Sequence, residues 1–172
     1  MGASTTSYAD PGLLAWLTDH EVEYEVHEHA EAMTARATAK AEGVDAHTFA
    51  KVVAVRLPDG GAAFAILETT DQLDLHKTAR AFEVDAVRLL TEGEMAAITP
   101  HCEIGAAPAI GSLYGLAMVA DHALRDDDAI SFNAGSHRCS VRVERMAWER
   151  ATGVAYADLA ATADDRPAWS RS

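Results

Sequence analysis

Cysteine is nearly absent: Cys102 and Cys139 are the only two in 172 residues, they lie far apart, and no C-x-x-C occurs. That excludes a disulfide-stapled scaffold and fits a reducing compartment. No apolar run approaches the roughly 20 residues that a membrane-spanning helix needs. The N-terminal segment Met1-Gly2-Ala3-Ser4-Thr5-Thr6-Ser7 has neither the basic nor the apolar block of a secretory signal. Met1-Gly2 with Thr6 matches a myristoylation pattern, but without a polybasic second signal one acyl chain anchors poorly. The expectation is a cytoplasmic protein with no membrane partner.

Basic residues are scarce as well, 14 against 27 acidic, for a formal net charge of −13. Proteins that coat nucleic acid present a basic face, so DNA is excluded as a partner and generic RNA coating with it. Contact with one end of an RNA stays compatible through Arg138, Arg142, Arg145 and Arg150, among which only Glu144 and Glu149 are acidic. On charge alone, a solvated face is the ordinary reading of such a run.

The remaining composition, 49% hydrophobic and 24% charged, is that of a globular chain long enough to bury a full core. Residues 1–160 are expected to form one domain, and 161–172 a polar, alanine-rich tail that frays. Ala50-Lys51-Val52-Val53-Ala54-Val55-Arg56-Leu57 and the run 62–68 flank Pro58-Asp59-Gly60-Gly61. Two apolar runs around Asp-Gly-Gly predict a hairpin, because its turn needs positive φ. Lys51 is the exception within that hairpin, since an ammonium at the head of a buried strand needs a partner or a role.

Asp10-Pro11 predicts the start of a helix with an apolar stripe of Leu13, Leu14, Trp16 and Leu17. Residues 24–29 alternate as a half-buried strand, and 33–42 form an alanine-rich helix ending at Gly43, with Thr34 near its start. Helical spacing recurs over 73–84, with Lys77 and Arg80 outward. Residues 87–90 read as a short strand, and Thr91 with Glu94 as a capping box opening a helix to Ile98. Residues 102–115 form a loop rich in small residues, 116–121 a strand, and 129–133 with 139–143 a second hairpin around Ala134-Gly135-Ser136-His137. Residues 145–151 begin a closing helix. Six or seven strands exceed what one helix layer covers, so the expected class is α+β, with a mixed, barrel-like sheet flanked by helices.

Three constellations could carry chemistry. His27 with His29, His101-Cys102-Glu103, and His137 with Cys139 offer metal-ligand types, but without the spacing of a zinc motif. Cys102 beside His101 is a poor nucleophile–base pair, because sequence neighbours usually point apart. The third set is Lys51, the loop 105–111 and the Gly135-Ser136-His137 turn. A lysine, free backbone amides and an imidazole suit an ester or phosphate and a developing oxyanion.

Taken in order, Tyr24-Glu25-Val26-His27-Glu28-His29, the helix from Thr34 to Gly43, Ala50-Lys51-Val52-Val53, Asp74-Leu75-His76-Lys77 and Val87-Arg88-Leu89 form one pattern. It continues with Cys102-Glu103-Ile104-Gly105-Ala106-Ala107-Pro108, Gly111-Ser112-Leu113-Tyr114-Gly115-Leu116 and Phe132-Asn133-Ala134-Gly135-Ser136-His137. This ordered set, over about residues 13–148, resembles the YbaK and prolyl-tRNA-synthetase-associated editing domain family. The resemblance implies a YbaK-like fold and a free-standing deacylase, acting in trans on an amino acid wrongly esterified to tRNA. It implies no metal, no cofactor and no covalent intermediate.

By the same resemblance, Lys51 holds the acceptor end and the ester, the loop after Gly105 meets the aminoacyl carbonyl, and His137 stands near the pocket as base or positioner. Thr34, Ala106, Ala107, Pro108, Gly111, Asn133, Gly135 and Ser136 are its candidate substrate-binding residues. Pro108 follows Gly105 by three positions, where members commonly have four, so loop shape and amino-acid preference can differ. The expected partner is the acceptor end of an aminoacyl-tRNA, with room for an aminoacyl-tRNA synthetase. A non-catalytic member that binds tRNA ends or nucleotides, or regulates a partner, is the alternative. No residue pattern marks a dedicated base, which predicts that the ribose hydroxyl beside the ester assists the water.

Overall fold

A computed structural model describes residues 8–29, Lys40 and 48–161. Apart from Lys40, the expected helix at 33–42, and with it Thr34, therefore lies outside the described residues. Helix α1 (Pro11–Asp19) begins where Asp10 caps it, the carboxylate accepting from the Gly12 N–H, and Pro11 occupies a first-turn position. Leu13 and Leu17, one turn apart, are fully buried.

Eight strands fall into two sheets among the described residues. In the smaller, β1 (Tyr24–Glu28), β7 (Cys139–Glu144) and β6 (Ala129–Ser136) run antiparallel in the order β1-β7-β6. The larger has the order β4-β2-β3-β5-β8. There the hairpin of β2 (Ala50–Arg56) and β3 (Ala62–Glu68) is antiparallel, as is β4 (Arg88–Leu89) on β2. Strand β5 (Ala117–Asp121) lies parallel to β3, and β8 (Ala155–Ala157) parallel to β5. The mixed α+β class is as expected; the strands make two sheets and do not close into a barrel. A parallel bridge from Phe49 to Ser131 ties the start of β2 to β6.

The main core lies between the sheets, where Ala50, Ala54, Phe64 and Ile66 of one meet Ile130, Phe132, Val141 and Val143 of the other. Helix α1 and Trp148 of α4 (Arg145–Thr152) complete it. A second cluster, Ala65, Leu67, Val119 and Leu159 with Val53, Leu73 and Phe82, fills the outer face of the larger sheet. Helix α2 (Leu75–Ala81) stands beside it. Lys77 of this helix was expected to point outward. Instead its ammonium is largely covered and donates to the Ala160 carbonyl at 2.8 Å, with Asp158 at 3.3 Å. The chain passing back over α2 supplies those acceptors, and no local pattern announces it.

The capping box is as expected at α3 (Glu92–Ile98): Thr91 and Glu94 exchange side-chain-to-backbone bonds. Within the loop 102–115, residues Gly111–Tyr114 form a 3-10 turn. Strand β6 runs three residues further than expected. Gly135, at φ +94°, takes up an irregularity in register, after which Ser136 pairs with Cys139.

Candidate functional site

The loop leading into Gly105 docks on the end of β6. Glu103 N–H donates to the Gly135 carbonyl and Gly135 N–H to the Ala106 carbonyl, each at 2.8 Å. The His137 ring nitrogen Nε2 lies 2.6 Å from the Ile104 carbonyl. A carbonyl can only accept, so Nε2 carries the proton. His137 is 3% exposed and its Nδ1 has no hydrogen-bond partner. The imidazole therefore braces the loop from behind and does not reach solvent as a base.

Gly105 itself is exposed, with φ +84°, a left-handed conformation that favours glycine. A Cβ there would stand 3.5 Å from His137 Cε1. Among the described residues no hydrogen bond engages the Gly105 N–H. Gly105 and Ile104 line a pocket of about 220 Å³, whose other walls include Val52, Ala54, Leu90 and Met95. Past the turn the loop goes underground: Ala106, Ala107, Pro108 and Gly111 are buried. Trp148 Nε1 donates to the Ala109 carbonyl at 2.8 Å. At Gly111 a Cβ would come within 2.6 Å of the Leu116 carbonyl oxygen, so only glycine fits.

Lys51 is placed differently. Side chains alternate along a strand, so it shares a face of the larger sheet with Val53 and pairs with Leu67, while Val52 and Ala54 lie on the other face; residues 52, 53 and 54 all border the pocket. It is half-buried, and its ammonium donates to the Asp71 carbonyl in the segment after β3. Lys51 does not line the pocket. Asn133 is buried and its Oδ1 lacks a partner. Ser136 Oγ accepts from the Arg138 N–H at 3.0 Å. The structure thus unites Gly105, Ala106, Gly135, Ser136 and His137, and leaves Lys51 at the strand's start.

The far wall of the pocket escaped the sequence reading. Leu90 N–H donates to the Ala54 carbonyl, holding the segment after β4 against β2. Glu94 then binds Arg88 at 2.9 Å and Arg56 at 3.0 Å. These bonds, Arg88 foremost and then the Thr91 N–H, hold the Glu94 carboxyl well below the usual carboxylate range. The apolar residues 89 and 90 were the only signal.

A cleft of about 1090 Å³ opens on the other side of the Glu103 loop, lined by Tyr8, Asp10, His101, Tyr114 and Arg138 among others. Its charges are engaged internally: Asp10 caps α1, and the Arg138 guanidinium lies 5.3 Å above the Tyr8 ring. Cys102 beside this cleft hydrogen-bonds Tyr114 Oη at 3.2 Å. Burial pushes its thiol upward, the Tyr114 bond works against that, and Asp10 adds to it. A thiol so placed is a poor nucleophile.

The histidines and cysteines weighed as metal ligands do not converge among the described residues. The group that does, Asp121, His122 and Asp158, has its buried member committed. Asp121 accepts the N–H groups of Leu159, Ala160 and Ala123.

Residues 29–151 match the family description of the aminoacyl-tRNA editing domain. The chain belongs to the aminoacyl-tRNA editing domain family. Among solved structures, a proposed trans-editing enzyme for prolyl-tRNA synthetase superposes with a TM-score of 0.79 at 22% identity, covering 92% of this chain and 100% of its own. A hypothetical protein reaches 0.79 at 17% identity, covering 87% and 99%. A putatively assigned signal transduction protein from Marinobacter aquaeolei reaches 0.70 at 18%, covering 91% of this chain but 32% of its own. At these identities the structures support the fold of the editing domain. No curated protein matches the sequence.

Proposed function

We propose that this editing domain is a deacylase that hydrolyses the ester of a mischarged tRNA in trans. The observation that carries the reading is the braced Gly105 turn, with its unengaged N–H at the mouth of an apolar pocket. Such a turn can place a fixed donor on an aminoacyl carbonyl while the pocket takes the side chain. Val52, Ala54, Leu90, Met95 and Ile104 favour an uncharged side chain. Lys51 precedes Val52 at the strand's start, and its flexible stem can carry the ammonium round that end to the acceptor terminus.

Water adds to the ester carbonyl, the bond to the ribose oxygen breaks, and that oxygen takes the proton. With both His137 nitrogens buried or engaged, the neighbouring ribose hydroxyl is the group left to orient the water. The experiment is single-turnover deacylation of a panel of mischarged tRNAs. Mischarged prolyl-tRNA substrates come first, given the similarity to a proposed trans-editing enzyme for that synthetase. Wild type is expected to release amino acid from at least one, and Lys51→Ala to lose roughly a hundredfold to a thousandfold. A 2′-deoxy terminal adenosine charged on the 3′ oxygen should react far more slowly. Equal rates on the deoxy substrate would require a protein base. Binding without release of any amino acid would favour the non-catalytic alternative.

A further inference from the structure

The turn that presents Gly105 is only four residues long, yet it keeps a left-handed glycine at the surface with its N–H unengaged. Something must hold it there. The His137 ring fixes the Ile104 carbonyl, and two backbone bonds fix Glu103 N–H and the Ala106 carbonyl to Gly135. The ring bond depends on the orientation of the two-residue turn after Ser136, and the backbone pair sits on Gly135 just before it. Two side chains hold that turn: Ser136 Oγ accepts the Arg138 N–H from within it, and Glu103 Oε1 accepts the His137 N–H at 2.7 Å from the Gly105 segment itself.

We propose that Glu103 is the positioning residue of this site, acting through the His137 turn on the Gly105 N–H. The bonding is reciprocal. Glu103 gives its backbone N–H to Gly135 near the β6 end and receives, on its side chain, the N–H of His137 in the turn that follows. Three residues of one segment, Glu103, Ile104 and Ala106, and two of the other, Gly135 and His137, are thereby locked without a covalent link. The Ile104 carbonyl accepts from His137, which turns the peptide that follows it so that the Gly105 N–H points away from the brace. If Glu103 lets go, the His137 backbone and ring move together, and the donor that faces the ester moves with them. Glu103 touches no substrate in this arrangement: it lines the large cleft on the opposite side of the loop from the Gly105 pocket.

The inference rests on the deacylase reading, and the test separates the two. Wild type, Glu103→Gln and Glu103→Ala are compared as full chains in single-turnover and steady-state deacylation, and by amide hydrogen exchange of the free proteins. Glutamine keeps an acceptor for the His137 N–H; alanine removes it. The expected result for Glu103→Ala is a fall in kcat of roughly 10- to 100-fold, the size of effect a displacement of about 1 Å produces. KM should stay within about twofold. Exchange at His137 and at Gly135, whose N–H holds the Ala106 carbonyl, should quicken, and Glu103→Gln should restore both rate and protection. A purely structural role would lower stability without splitting kcat from KM. If Glu103→Ala deacylates as fast as wild type, or leaves exchange at Gly135 and His137 unchanged, the inference is wrong. Wild type inactive on every charged tRNA would instead overturn the deacylase reading first.

Discussion

The pocket beside Gly105 has two walls built on opposite principles. The Glu103–Ala106 wall is held by a close set of bonds to backbone groups, with the His137 ring buried behind it. The wall of β4 and α3 is held by Glu94 between Arg88 and Arg56, and Arg88 is more than half exposed. Bonds of the first kind leave an unpaired buried group when broken and are little affected by salt. Exposed ion pairs are screened and individually weak. The first wall should therefore set the chemistry, and the second should tune what enters.

The sharpest way to break the contrast is beneath the first wall. Trp148→Ala deletes a fully buried ring and the bond to the Ala109 carbonyl, and should lose roughly 3–5 kcal/mol of stability in denaturant unfolding. A loss under 1 kcal/mol would mean the loop does not depend on that support. Next is Gly111→Ala, which forces a methyl against the Leu116 carbonyl oxygen. Overpacking of this kind should remove about 1–3 kcal/mol, whereas no loss would show that the 3-10 turn is soft.

A pH series tests the first wall more gently. The His137 N–H, then the Ser136 hydroxyl, lower the Glu103 pKa in the folded protein. An acid with a lowered folded pKa contributes stability that is complete above its unfolded value and is lost as pH falls through the folded one. Wild type should therefore hold its advantage over Glu103→Gln through neutral pH and into mild acid, and lose it below the ordinary carboxylate range. A constant gap between the two proteins down to the lowest pH would refute the assignment. The smallest effect is expected at the second wall. Glu94→Ala should lower the melting temperature modestly at low ionic strength, and high salt should shrink the difference. An undiminished effect in high salt would move Glu94 into the class of Glu103.

How much of this was legible in the sequence depended on range. Several signals that lay within a few residues were read correctly. The Asp-Gly-Gly turn marked the β2–β3 hairpin, Asp10-Pro11 marked α1, and Thr91 with Glu94 marked a capping box. The ordered motifs also carried the family. The β6 irregularity was half visible, since a glycine allowed it but only pairing with Cys139 showed where the strand resumed.

What the sequence by itself determined was thus the elements, the acidic surface, the family and the residues gathered around Gly105. Tertiary structure alone decided which of them meet. Strand alternation sets Lys51 on the face opposite Val52, and the return of the chain over α2 buries Lys77. Arg56 reaches Glu94 across 38 residues, and His137 reaches Ile104 across 33. Local patterns report what a short segment can adopt, because helix and turn rules act over about four residues. A braced loop needs partners that only packing of the two sheets brings within hydrogen-bond distance, so Glu103 was weighed as a metal-ligand type until the fold placed it under His137.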